Sequence, residues 1–174
     1  RVPQAQPFLE IVASQDKTKV TLSPTAAIVG GNGVAPTGKG QPKDYFLDRG
    51  QYLQITQDAE LTGTPILADK PIGVWGGATC LDIDVNDAAC DSAHQQLFPV
   101  SALGSEYVLV RYRNRFPNKE ETVPWRIVSA ADGTMLSYEP SAPMGAPTQL
   151  AKGGVGEFWT PGPLVVRSQD DKHP

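Results

Sequence analysis

The chain has 174 residues, of which 17 are glycine and 16 proline, about a fifth of all positions, which excludes a helical bundle because neither residue sits well inside a helix. A hydrophobic share of 40% supplies a core and excludes low-complexity disorder. The net charge of −4, from 15 basic and 19 acidic side chains spread without runs of one sign, excludes a phosphate-tracking surface as the main function, and no apolar run approaches the about 18 residues of a membrane span. Nucleic acid and membrane insertion are therefore not expected.

Short stretches rich in Val, Ile, Tyr and Trp, punctuated by Gly, Pro, Asp and Asn, predict strands over 8–13, 19–22, 52–56, 65–67, 72–75, 107–112, 125–128, 135–138, 155–159 and 164–166. Residues 30–42 are expected to form a long, mobile, polar loop. One segment reads as helix: 88–98 lacks Gly and Pro, follows Asn86 and Asp87 as candidate N-caps, repeats Ala89, Ala93 and Leu97 at four-residue spacing, and stops at Pro99.

The chain also resembles itself. Residues 10–24, EIVASQDKTKVTLSP, match 126–140, RIVSAADGTMLSYEP, at a spacing of 116. Ile11 aligns with Ile127, Val12 with Val128, Asp16 with Asp132, Thr18 with Thr134 and Pro24 with Pro140. Each copy predicts a β-hairpin, strand, turn and strand. LDRGQ at 47–51 then matches LAKGG at 150–154, and ADKP at 68–71 matches DDKHP at 170–174. In the first copy an apolar strand, Ile72-Gly73-Val74-Trp75, follows at once. The second copy is expected to be truncated at its C-terminus, leaving a sheet edge open to a strand from the remainder of the same precursor or from a neighbouring chain. Numbering that opens at Arg1 rather than Met fits a processed or cut chain. The expected organisation is a first β unit over 1–77, a connection over 78–105 holding the cysteines and the short helix, and a second β unit over 106–174. The expected fold class is all-β and β-sandwich-like, with propeller-like blades as the alternative.

Four ordered blocks, IVASQDKTKVTLSP, LTGTPILADKPIGVWGG, CDSAHQQLFPVSALGSEYVLVRYRNR and WRIVSAADGTMLSYEP, resemble the N-terminal domain family of IgG-Fc-binding protein, particularly its bacterial members. The resemblance spans nearly the whole chain. It implies a secreted or cell-surface β-rich binding or adhesion module without catalysis, and it brings no catalytic residues to map.

Candidate chemistry is sparse. Cys80 and Cys90, ten residues apart, suit a local disulfide and an oxidising compartment. Free thiols, or zinc held by Cys80, Cys90 and His94 with Asp82 or Asp84, are the competing readings. The run from Asp82 through Asp84 to Asp87 opens like a calcium loop, but Asp87 stands where the turn glycine belongs and Ala93 where the bidentate Glu belongs. Residues 33–40 approach a phosphate loop, yet Gly40 replaces its hydroxyl and Pro42 forbids the helix that must follow. On a strand running through 107–115, Arg111, Arg113 and Arg115 would share one face as a ligand-contact stripe, or as a solvated face paired with Glu106, Glu120 or Glu121. Trp75, Trp125 and Trp159 each sit in a strand pattern and are expected in the core, with sugar-stacking platforms as the alternative. No GxSxG or HExxH occurs, so only a carboxylate pair of the kind that hydrolyses glycosides would support an enzyme. The expectation is an extracellular, cell-surface or periplasmic module that binds a protein or glycan with no cofactor and no reaction. The alternative is an assembly subunit completed by a partner's strand.

Overall fold

A computed structural model describes residues 6–81, 83 and 90–174. The chain divides into two compact units, Arg1–Phe98 and Pro99–Pro174, and both are all-β.

In the first unit β1 (Pro7–Ala13) turns into β2 (Thr18–Leu22), followed by β3 (Lys43–Leu47), β4 (Tyr52–Thr56), β5 (Ile66–Ala68), β6 (Ile72–Leu81) and β7 (Asp91–Gln96). They form two antiparallel sheets, in the orders β4-β1-β6-β7 and β3-β2-β5. Period-two alternation decides what each sheet buries. Leu9, Ile11 and Ala13 of β1, with Leu53 and Ile55 of β4, form one buried cluster with Val20, Leu22 and Leu47 of the other sheet. Ile11, Val20 and Leu22 are fully buried. This is a small β-sandwich.

The second unit repeats the two-sheet construction. A 3-10 turn at Val100–Ala102 leads to β8 (Glu106–Leu109), β9 (Val123–Val128), β10 (Thr134–Glu139), β11 (Gln149–Leu150), β12 (Val155–Thr160) and β13 (Leu164–Ser168). The sheets run β11-β10-β13-β8 and β12-β9. Leu109, Phe158, Leu164 and Val166 are its buried centre, with Trp125, Ile127, Leu136 and Tyr138 packed against them. Tyr138 meets Phe158 edge to face at 5.8 Å and donates its hydroxyl to the Pro147 carbonyl at 2.7 Å.

Two expectations need correction. The segment expected as a helix contains β7: Asp91–Gln96 pairs antiparallel with β6, His94 opposite Gly77 and Gln96 opposite Trp75. The pull of a neighbouring strand overrides local propensity here. The N-caps Asn86 and Asp87 lie outside the described residues. The loop over 30–42 begins as a tight hairpin, with Ile28 bridged to Thr37 and Gly31 to Val34. Asn32 and Gly33 have φ of 49° and 89°, the left-handed pair that an Asn-Gly type I′ turn requires. Buried Gln57 pins its base, donating to the Ala27 and Ala59 carbonyls and accepting from the Val29 amide.

Cys80 and Cys90 are joined in a disulfide, with Cα atoms 5.2 Å apart, which ties the end of β6 to the start of β7. A closed loop of this length contributes about 2–3 kcal/mol by restricting the unfolded chain. The Cys80→Ser, Cys90→Ser double variant should therefore lose about 2–3 kcal/mol in urea unfolding, and the native chain should lose the same on reduction. An unchanged midpoint would refute that role. Burial pushes the Tyr138 phenol up from 10.0 to about 12. The folded state thus favours the protonated form, so stability present below pH 10 should fall as pH rises through 12, and Tyr138→Phe should remove that alkaline loss.

Candidate recognition face

The residues of β1 that do not face the core point outward: Phe8, Glu10 and Val12. Register sets Gly77 beside Phe8, Trp75 beside Glu10 and Gly73 beside Val12. On the far side of β1, Tyr52 stands opposite Val12 and Gln54 opposite Glu10. β7 then adds His94 and Gln96. The result is an aromatic cluster on the outer face of the sheet. The His94 ring lies 5.6 Å from Phe8 and 6.3 Å from Trp75, stacked on the latter at 29°.

Glycines keep this face flat. A Cβ on Gly73 would lie 2.5 Å from the Trp75 ring, and one on Gly77 would lie 2.6 Å from Phe8 and 2.1 Å from the Ala93 carbonyl oxygen. The rings therefore rest against the backbone instead of standing off it. Trp75 is half-buried, while His94 and Tyr52 are exposed. Rigid aromatic groups rimmed by Glu10, Gln54 and Gln96 have the composition of a binding surface, where few rotamers freeze and much apolar area is covered. A groove of about 870 Å³ opens elsewhere on the same unit, between β3 and β4 beneath the Asn32-Gly33 turn, with exposed Val29 and Phe46 in its wall.

The residues singled out from sequence are dispersed. Both sulfurs of Cys80 and Cys90 are spent on each other, so the zinc reading fails and His94 turns to the aromatic cluster. Asp82 and Asp84 lie outside the described residues. β8 ends at Leu109, so the three arginines follow the strand rather than striping its face. Arg111 donates to the Pro161 carbonyl at 2.5 Å and to the Tyr112 carbonyl at 2.9 Å. Arg115 pairs with Glu121 at 2.7 Å. Arg113 is exposed. In the phosphate-loop look-alike, the Gly40 amide is committed to the Pro24 carbonyl and the Gln41 amide to Gly38. Of the tryptophans, Trp125 joins the core of its unit, whereas Trp75 and Trp159 face outward, the latter 47% exposed. The alternation around Trp75 with Gly73 and Gly77 was a readable signal for that orientation, since a face with glycines at alternate positions has no side chains to fill a core.

Three carboxylates are held towards their charged form. Hydrogen bonds from Lys19 and Thr21 depress Asp44, the Arg115 backbone and side chain depress Glu121, and His173 with the Lys172 amide depresses Asp170. Arg167 bridges Glu106 and Glu139. Glycoside hydrolysis needs one carboxyl whose affinity for its proton is raised, and these three are shifted the other way.

The two glycines should respond differently to substitution. Gly77→Ala places a methyl against the fixed Ala93 carbonyl and should open the β6–β7 pairing, costing more than about 2 kcal/mol. Gly73→Ala meets only the far end of the Trp75 side chain, so it should leave stability nearly intact and move the indole, seen as a shift in its fluorescence. Equal losses would refute the packing described.

No curated protein and no solved structure matches the chain. The family model described as IgGFc binding protein matches residues 2–174. An all-β chain of two sandwich-like units, the first stapled by a disulfide, and matched over nearly its full length, belongs to the IgGFc binding protein family.

Proposed function

We propose that this chain is an extracellular binding module that takes a protein ligand on the outer face of the β4-β1-β6-β7 sheet. The observation that carries this reading is the cluster of Phe8, Trp75 and His94, laid flat over glycines on a surface that the core does not use. Trp and Tyr dominate binding energy in interfaces, and this face carries both Trp75 and Tyr52. The family description supports a binding role over a catalytic one. The disulfide suits secretion to an oxidising compartment. No helix among the described residues is long and apolar enough to cross a membrane.

A glycan carried on such a protein is the second reading, favoured by the stacked Trp75 and His94 rings, whose faces suit the apolar face of a sugar. The Fc portion of immunoglobulin G, named in the family description, is the first ligand to test, in its glycosylated and deglycosylated forms. Trp75→Ala and His94→Ala should each weaken binding at least tenfold, while Arg113→Ala should leave it unchanged. Loss confined to the deglycosylated form selects the glycan reading. If Arg113→Ala abolishes binding and Trp75→Ala does not, the site belongs to the arginines and the aromatic face is not the recognition surface.

A further inference from the structure

In the first unit β3 and β4 are the end strands of their two sheets, and together with the Asn32-Gly33 hairpin they enclose the groove of about 870 Å³. A volume of this size is that of a small-ligand site. Alternation decides what the two strands offer to it. On β3, Leu47 is buried and Tyr45 packs against the core, while Lys43, on the same face, is half-buried. On β4, Leu53 and Ile55 go to the core, which leaves Tyr52, Gln54 and Thr56 on the other face. The hairpin leaves room above its backbone: a Cβ on Gly31 or Gly33 would meet nothing within 4 Å.

The chemistry of the lining is selective. Lys43 and Asp44 are its two charged side chains. Asp44 is spent on Lys19 at 2.8 Å and on the Thr21 hydroxyl at 2.6 Å. The Lys43 ammonium makes no hydrogen bond or ion pair among the described residues and acts on Asp44 only through its charge. The charge left uncommitted in the groove is therefore positive. The Tyr45 hydroxyl is buried without a hydrogen-bond partner among the described residues, a state that fully satisfied protein interiors avoid. The Gln54 amide makes one long bond of 3.4 Å to Thr56, and the Asn32 side chain makes none among the described residues. Beside these polar groups lie the exposed rings of Phe46 and Tyr52.

We infer that this groove binds an acidic oligosaccharide, a sugar chain that carries a carboxylate. Sugar rings combine apolar C–H faces with a rim of hydroxyls, and they match a lining that combines aromatic rings with side-chain amides. The carboxylate pairs with Lys43, whose attraction for an anion is stronger in a half-buried groove than on open surface. A purely apolar ligand would instead leave Lys43 and the amides desolvated and unpaired. The inference goes beyond the protein ligand proposed above and needs neither Trp75 nor His94.

Titration of the full chain with sialyllactose, and with lactose, which lacks the carboxylate, tests it by calorimetry and by amide chemical shifts. Sialyllactose should bind at least tenfold more tightly than lactose and move the amides of Asn32, Lys43 and Gln54. Lys43→Gln should bring the two sugars level, and Lys43→Arg should restore the preference. Tyr52→Ala removes an exposed ring outside the core and should weaken both. Trp75→Ala should change neither, which separates this site from the aromatic face. Equal affinity for the two sugars in the native chain overturns the inference, as does the absence of groove shifts with both sialyllactose and a hyaluronan tetrasaccharide. Tetraglutamate binding at Lys43 more tightly than either acidic sugar would make this a site for acidic peptide and overturn it too. If Trp75→Ala abolishes sugar binding and Lys43→Gln does not, the sugar belongs to the aromatic face and the groove is not its site.

Discussion

Strand β1 is hydrogen-bonded on both sides, to β4 and to β6, and the rest of the first unit follows from that double pairing. A strand flanked on both edges has every backbone group committed, so its side chains must divide strictly between the two faces. The inward set, Leu9, Ile11 and Ala13, packs against Val20, Leu22 and Leu47 and closes the sandwich. The outward set, Phe8, Glu10 and Val12, is thereby fixed on the opposite surface, and a slip of one residue would exchange core for surface.

The same constraint links stability to recognition. β6 can carry Gly73 and Gly77, poor strand residues, because β1 and β7 hold it from both sides and the Cys80–Cys90 bond closes the β6–β7 connection. Those glycines let the rings of Trp75 and Phe8 lie against the sheet. His94 reaches them only because β7 is a strand in register with β6; on a helix at the same place the ring would have no fixed relation to Gly77. The second unit has the hairpin, the buried threonine and the cross-strand bonds of the first, but among the described residues β9 and β12 pair only with each other, and Trp125 and Ile127 are half-buried where Leu9 and Ile11 are buried.

Much of the fold was legible. Alternation with Gly and Pro punctuation located the strands that supply both cores, because burying one face of a strand imposes a period of two that survives in any sequence reading. β3 was missed between Pro42 and Asp48, and β7 was mistaken for helix because Asp91, Ser92, Gln95 and Gln96 carry no strand preference and Ala89, Ala93 and Leu97 fall at helical spacing. The Asn32-Gly33 turn falls inside the segment expected as a mobile loop, although an Asn-Gly pair is itself a hairpin signal. Of the candidate site, the cysteine pair was legible and the aromatic face was not. Phe8, Trp75 and His94 lie far apart in the chain, and each by itself reads as an ordinary strand or helix residue.

Composition and pattern alone determined an all-β chain without a helical bundle and the likeness of residues 10–24 to 126–140. Those properties are local, written in which residues alternate and where breakers fall. Only the tertiary structure decided that Trp75 and Trp159 face outward, that the arginines scatter into separate contacts, and that among the described residues β9 and β12 pair only with each other. Each of these depends on which strand lies beside which, and strand neighbours are set by pairings between segments distant in sequence, which no local pattern encodes.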